Sequence, residues 1–127
     1  MAKIFVVEDD VTLAQIYKQN LESGGHEVAI ISDIKAVAEI RLQKPNLVLL
    51  DILMPQVNGL DILREIKADP ATADIPVLLL TNVAENESIA KGLEYGAYGY
   101  LLKSETTPNA IVSRVNRTLE ETTPAAP

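Results

Sequence analysis

The chain has no cysteine. Disulfides, thiolate nucleophiles and cysteine-ligated zinc are therefore excluded. Its one histidine, His26, follows the Gly24-Gly25 turn and reads as a solvated side chain rather than a phosphodonor or a ligand. No apolar run approaches the ~18 residues needed to cross a bilayer. The opening MAKIFVVEDD carries one lysine and a short apolar stretch broken by acids, too brief for the apolar region of a secretory signal. Positive charge is in deficit: 11 Lys and Arg against 18 Asp and Glu leave a formal net charge of −7. Such a balance disfavours non-specific nucleic-acid binding and suits encounters with proteins or cations. Internal repeats and low-complexity tracts are missing as well. Together these absences predict a cytoplasmic protein with no membrane segment and no direct nucleic-acid binding.

What is present is a globular composition. The 127 residues are 47% apolar and 23% charged, enough for one domain with a sizeable core. Five apolar runs of strand length recur: Ile4–Val7, Val28–Ile31, Leu47–Leu50, Val77–Leu80 and Tyr98–Leu102. Most are continuous rather than alternating, the pattern of strands covered on both faces. Helix-length segments separate them. Leu13, Ile16, Tyr17 and Leu21 share a face of a helix stopped by Gly24-Gly25, and Ile34–Leu42 stops before Lys44-Pro45. Leu60, Leu63 and Ile66 follow Asn58, a good N-cap. Ile89 and Leu93 mark a fourth helix closing near Gly96, and Ala110–Glu121 a fifth. The alternation predicts an α/β fold, a doubly wound (βα)5 sandwich whose five-stranded parallel sheet has helices on both faces. Residues 1–122 are predicted to form this domain, with 123–127 as a flexible tail or linker stub.

The stretch LVLLDILMP, residues 47–55, drives an apolar strand straight into Asp51. Burying that carboxylate is costly unless something pairs with it. In a doubly wound sheet, ligands bind outside the carboxyl ends of the strands. There the other strands end in Glu8-Asp9-Asp10, Thr81 and Lys103, while Ser32-Asp33 closes a strand suited to the sheet edge. Converging carboxylates either take up protons or hold a cation. Oxygen-only ligation by one or two carboxylates plus waters suits Mg²⁺, with Mn²⁺ also acceptable. A nearby lysine and hydroxyl suit the oxygens of a phosphoryl group, and a carboxylate can itself accept that group as an acyl phosphate. Blander roles stay open at this point. Asp51 alone could cap a loop, and the acids after the first strand could cap the first helix, Asp10 foremost.

The ordered set VVEDD, LLDILMPQVNG, LLLTN and GYLLKS resembles the response-regulator receiver domain of two-component signalling over essentially the whole chain. The resemblance implies a strand order of 2-1-3-4-5. It implies that Asp51 is the phosphorylated residue, that Asp9 ligates Mg²⁺ directly, and that Glu8 acts mainly through water. Leu53 would offer its backbone carbonyl to the metal. Thr81 would hydrogen-bond the phosphoryl group, Lys103 would pair with it, and Tyr100 would be the switch aromatic. The implied partners are a sensor histidine kinase or phosphotransfer protein and a downstream target. The target would meet the face formed by the fourth helix, fifth strand and fifth helix.

Some positions depart from that pattern. The family usually follows the lysine with a cis proline, where this chain has Ser104. A cis bond there would cost roughly 2.5–4 kcal/mol, and a trans bond would aim Lys103 differently. Asn82 stands where a small residue is usual. Leu53 and Val83 match positions that in the family flank the hydrolytic water, and neither side chain could orient it, which predicts slow self-dephosphorylation. Pro55 stops its strand, and Gly59 lies where a side chain would crowd the site. Tyr17, Tyr95 and Tyr98 read as packing or surface, and Arg114 and Arg117 as one solvated helix face. The alternative function is a receiver-shaped interaction module that works without phosphorylation. An aspartate-nucleophile hydrolase of the haloacid-dehalogenase kind would need an acid at Leu53, and the acidic loop after the first strand would repel a flavin phosphate.

Overall fold

A computed structural model describes residues 2–82, 86–104 and 106–122; the predicted tail at 123–127 and Val83 lie outside them. The elements are β1 (Lys3–Val7), α1 (Val11–Ser23), β2 (Glu27–Ile30), α2 (Ala36–Gln43), β3 (Leu47–Asp51), α3 (Gly59–Ala68), β4 (Val77–Thr81), α4 (Asn86–Glu94), β5 (Gly99–Leu102) and α5 (Pro108–Thr122). The strands form one parallel sheet in the order β2-β1-β3-β4-β5. The order reverses between β1 and β3, which places a crevice at their carboxyl ends.

The continuous apolar runs are explained by two cores. Alternate side chains of a strand point to opposite faces. Phe5, Val7, Val48, Leu50, Val77 and Leu79 pack with Ala36 and Ile40 of α2 and Ile62, Leu63 and Ile66 of α3. Ile4, Val6, Leu47, Leu49, Leu78 and Leu80 pack with Ala14, Tyr17 and Leu21 of α1 and Ile111 and Val115 of α5. Both faces of β3 are thus dry, and all five of its residues, Asp51 included, are buried.

Local chemistry sets the boundaries. Asp10 caps α1 through Oδ1, which accepts from the Leu13 N–H at 3.0 Å. Asn58 caps α3, accepting from the Leu60 N–H at 2.8 Å. Helix α2 begins two residues later than its apolar spacing suggests, because Asp33 Oδ1 accepts from the Ile34 N–H at 2.9 Å and residues 33–35 form a turn. Helix α5 begins two residues earlier. Pro108 suits a first helical position, and Thr107 Oγ1 accepts from the Ala110 N–H at 3.1 Å.

Two ties were not foreseen. His26 is half-buried rather than solvated: its Nδ1 accepts from the Ala2 N–H at 3.3 Å, and Nε2 lies 2.7 Å from Asn116 Oδ1. This arrangement puts the ring proton on Nε2. Lys67, at the end of α3, donates to the carbonyls of Ala73 (2.8 Å) and Ile75 (2.6 Å). Burial pulls its ammonium below the ordinary lysine value, with the Asp74 charge opposing. Its stem covers Gly96, which closes α4 at a φ of 106°. No helix among the described residues is long and apolar enough to cross a membrane.

Candidate phosphoacceptor and metal site

Strand register brings the polar residues to one rim. Val7 pairs with Leu50, Asp51 with Leu80 and Thr81 with Leu102. Glu8, the residue after Val7, therefore stands beside Asp51. Lys103, the residue after Leu102, is held where its backbone N–H donates to the Thr81 carbonyl at 2.8 Å.

The centre is a buried ion cluster. Lys103 Nζ lies 3.0 Å from Asp51 Oδ2 and 2.5 Å from Glu8 Oε2, and all three side chains are buried. Asp51 Oδ1 accepts from the Leu53 N–H at 3.3 Å, and Glu8 Oε1 accepts from the Asp10 N–H at 3.1 Å. Glu8 Oε2 is engaged by the Lys103 ammonium as a buried ion pair. One carboxylate oxygen from each of Glu8, Asp9 and Asp51 lies within 4.8 Å of the others, with Asp9 exposed at the mouth. Thr81 is buried at the end of β4.

The electrostatics follow from that crowding. Burial, and then the Glu8 charge, push the Asp51 carboxyl up to about 7, against the Lys103 ammonium that pulls it down. Burial works against the Lys103 ammonium, but the two carboxylates outweigh it and hold the group above its ordinary value. The cluster's field reaches Tyr17, a buried residue. Burial and then Glu8, Asp51 and Asp10 push its hydroxyl up to about 12. Three carboxylates against one ammonium leave uncompensated negative charge. That excess and the all-oxygen donor set of Glu8, Asp9 and Asp51 fit a hard divalent cation.

Ser104 does not have either expected effect. Its peptide bond to Lys103 is trans, yet Lys103 still reaches Asp51. The backbone is fixed by the β5 pairing and the Thr81 carbonyl, and the four-carbon stem spans the rest. Gly59 is required more strictly than expected: a Cβ there would collide with the Asp51 carbonyl oxygen and stand 2.8 Å from Ile52 Cα. The rim is apolar at Leu53, which is 57% exposed, and Asn82, the residue after Thr81, is exposed as well. Tyr100, on β5, is half-exposed. It lines a cleft with Leu93, Leu102, Thr106 and Arg114. The Arg114 Nε is buried there without a partner, so this residue is not part of a fully solvated face. Sequence reading left Asp33 at the sheet edge. Its carboxylate in fact crosses to the β3–α3 loop, accepting from the N–H groups of Gln56 (3.0 Å) and Val57 (3.1 Å). No sequence signal marks a pairing between those two loops.

A doubly wound 2-1-3-4-5 sheet with a lysine-paired acidic cluster at the carboxyl rim defines a class: a flavodoxin-like fold carrying a receiver site. The chain belongs to the response regulator receiver domain family, whose model matches residues 4–116. It is 36% identical over 118 residues to the DNA-binding response regulator MtrA of Mycolicibacterium paratuberculosis, covering 92% of this chain and 51% of MtrA. The chain thus spans about half the length of the curated relatives it matches. Among solved structures it is similar to the signal receiver domain of a signal transduction histidine kinase from Syntrophus aciditrophicus. The TM-score there is 0.88 and the identity 30%, with 99% of this chain and 96% of that one covered. It is also similar to the Mn²⁺-bound form of response regulator Rcp1, with TM-score 0.81, identity 28%, and 99% and 100% covered. The chain is a receiver domain of two-component response regulators, and Glu8, Asp9 and Asp51 fit its metal-assisted phosphorylation site.

Proposed function

We propose that residues 1–122 form a cytoplasmic receiver that accepts a phosphoryl group on Asp51 from a sensor histidine kinase or phosphotransfer protein. The observation that carries this reading is the Lys103 ammonium, buried within 3.0 Å of both Asp51 and Glu8. An Asp51 carboxylate oxygen attacks phosphorus. The new O–P bond forms as the P–N bond to the donor imidazole breaks, and the electron pair leaves on that nitrogen. Asp9 would hold the metal directly, Glu8 mainly through water, and Leu53 through its backbone carbonyl. Bound Mg²⁺ would supply neutralisation of the charge that develops on the transferring group; the Mn²⁺ held by Rcp1 supports a divalent ion here. Lys103, already bonded to Asp51, pairs with a phosphoryl oxygen, and Thr81 donates to another. Tyr100 then turns inward, and the α4–β5–α5 face shifts toward its target-binding arrangement.

Incubation with Mg²⁺ and acetyl phosphate, read by intact mass, tests this. A gain of about 80 Da, one phosphoryl group, that is lost in Asp51→Asn is expected. No gain would favour an interaction module that works without phosphorylation.

A further inference from the structure

The connection from β3 to α3 carries Leu53, and its own chain ties it at both ends. The Leu53 N–H reaches Asp51 Oδ1 at 3.3 Å, and the Gly59 N–H reaches the Ile52 carbonyl at 2.8 Å. Its middle is held from another strand's loop, by Asp33 Oδ2 on Gln56 and Val57. Among the described residues, no other hydrogen bond joins residues 53–57 to an element other than β3. Asp33 is not occupied with capping α2, whose N-cap, Lys35, makes no side-chain bond. Nor does it belong to the acidic triad. It does wall, with Ser32, Pro55 and Gln56, the cleft of about 400 Å³ that opens onto Glu8 and Asp9.

We propose that Asp33 is a positioning residue for the metal. By clamping Gln56 and Val57 it holds the loop that bears Leu53 in the metal-binding arrangement, so edge strand β2 sets divalent-cation affinity without supplying a ligand. The inference rests on the metal reading given under Proposed function. One Asp33 oxygen receives two successive backbone N–H groups and so fixes the middle of the loop by its placement. Without them the loop spends only part of its time in the competent arrangement, and apparent affinity falls by that fraction.

The test is Mn²⁺ binding to the full chain, followed by the electron paramagnetic resonance signal of the free ion. Asp33→Ala is expected to weaken binding on the order of tenfold, the lower end for residues that support metal ligands. Asp33→Asn keeps an oxygen for the two N–H groups and should stay within about twofold of wild type. Asp33→Glu keeps the charge but displaces it by one carbon, and should be weakened like the alanine variant. Wild-type affinity in both Asp33→Ala and Asp33→Glu overturns the proposal. So does a loss in Asp33→Asn as large as in Asp33→Ala, because charge rather than placement would then be at work. Failure of the wild type itself to bind Mn²⁺ would instead remove the metal reading beneath it.

Discussion

At the residue scale, two carboxylates share a single ammonium. Asp51 titrates near 7 in the metal-free protein, against 3.8 for an ordinary aspartate. A folded state that binds the proton more tightly than the unfolded chain loses stability as pH rises through that window. Metal-free protein should therefore become less stable between about pH 4 and 7. The Lys103 shift is also upward and also costs stability as pH rises, but only above its ordinary value of 10.5, so it leaves this window untouched. Asp51→Asn removes the excess charge while leaving the Glu8–Lys103 pair. In EDTA at pH 8 it should be more stable than wild type by about 1–3 kcal/mol, and its melting temperature should be nearly flat where the wild type's declines. A wild-type profile flat across that window would contradict the assignment. The rim residues Glu8, Asp9, Asp51, Thr81 and Lys103 were legible in sequence, because apolar runs ending in polar groups locate strand termini. Asp33 and His26 were not. Their partners lie 23–24 and 90 positions away, and nothing local to either residue signals such a partner.

At the element scale, two glycines separate backbone crowding from side-chain crowding. A Cβ at Gly59 would meet the backbone of Asp51 and Ile52, whereas one at Gly99 would meet the guanidinium tip of Arg114. The first obstacle cannot move without shifting β3; the second can swing aside. Gly59→Ala should cost about 2–4 kcal/mol in chemical denaturation, and Gly99→Ala less than about 1 kcal/mol. Equal costs would show that the approach of α3 to β3 is less rigid than described. All ten elements were legible from the alternation of continuous apolar runs with helical spacing. Their ends were less so. The start of α2 depends on where the Asp33 side chain goes, and the start of α5 on a Thr107 cap that apolar periodicity does not register.

At the scale of the whole molecule, the strand order sets Asp51 on a central strand and Lys103 after an edge strand. The site thus reports on the packing of the entire sheet. Leu53 is the exposed neighbour of the acid cluster, and its side chain has no polar atom to hold an attacking water. The phosphorylated protein alone in Mg²⁺ should keep its modification for many minutes, followed by intact mass. Decay within seconds would mean that another group orients the water. Leu53→Asn should shorten the lifetime several-fold, because an amide can both accept from and donate to water.

The Lys67 latch has a consequence for motion. It fastens the turn after α3 and the glycine closing α4, both at the amino-terminal ends of the strands, with a cation whose bonds are to carbonyls. At the opposite pole the strand ends are tied by the Lys103 ion cluster, but the middle of the β3–α3 loop is fastened by one aspartate. That loop is therefore held less firmly than the base. Amide hydrogen exchange should register that gradient as slower exchange at Ile75 and Val77 than at Gln56 and Val57.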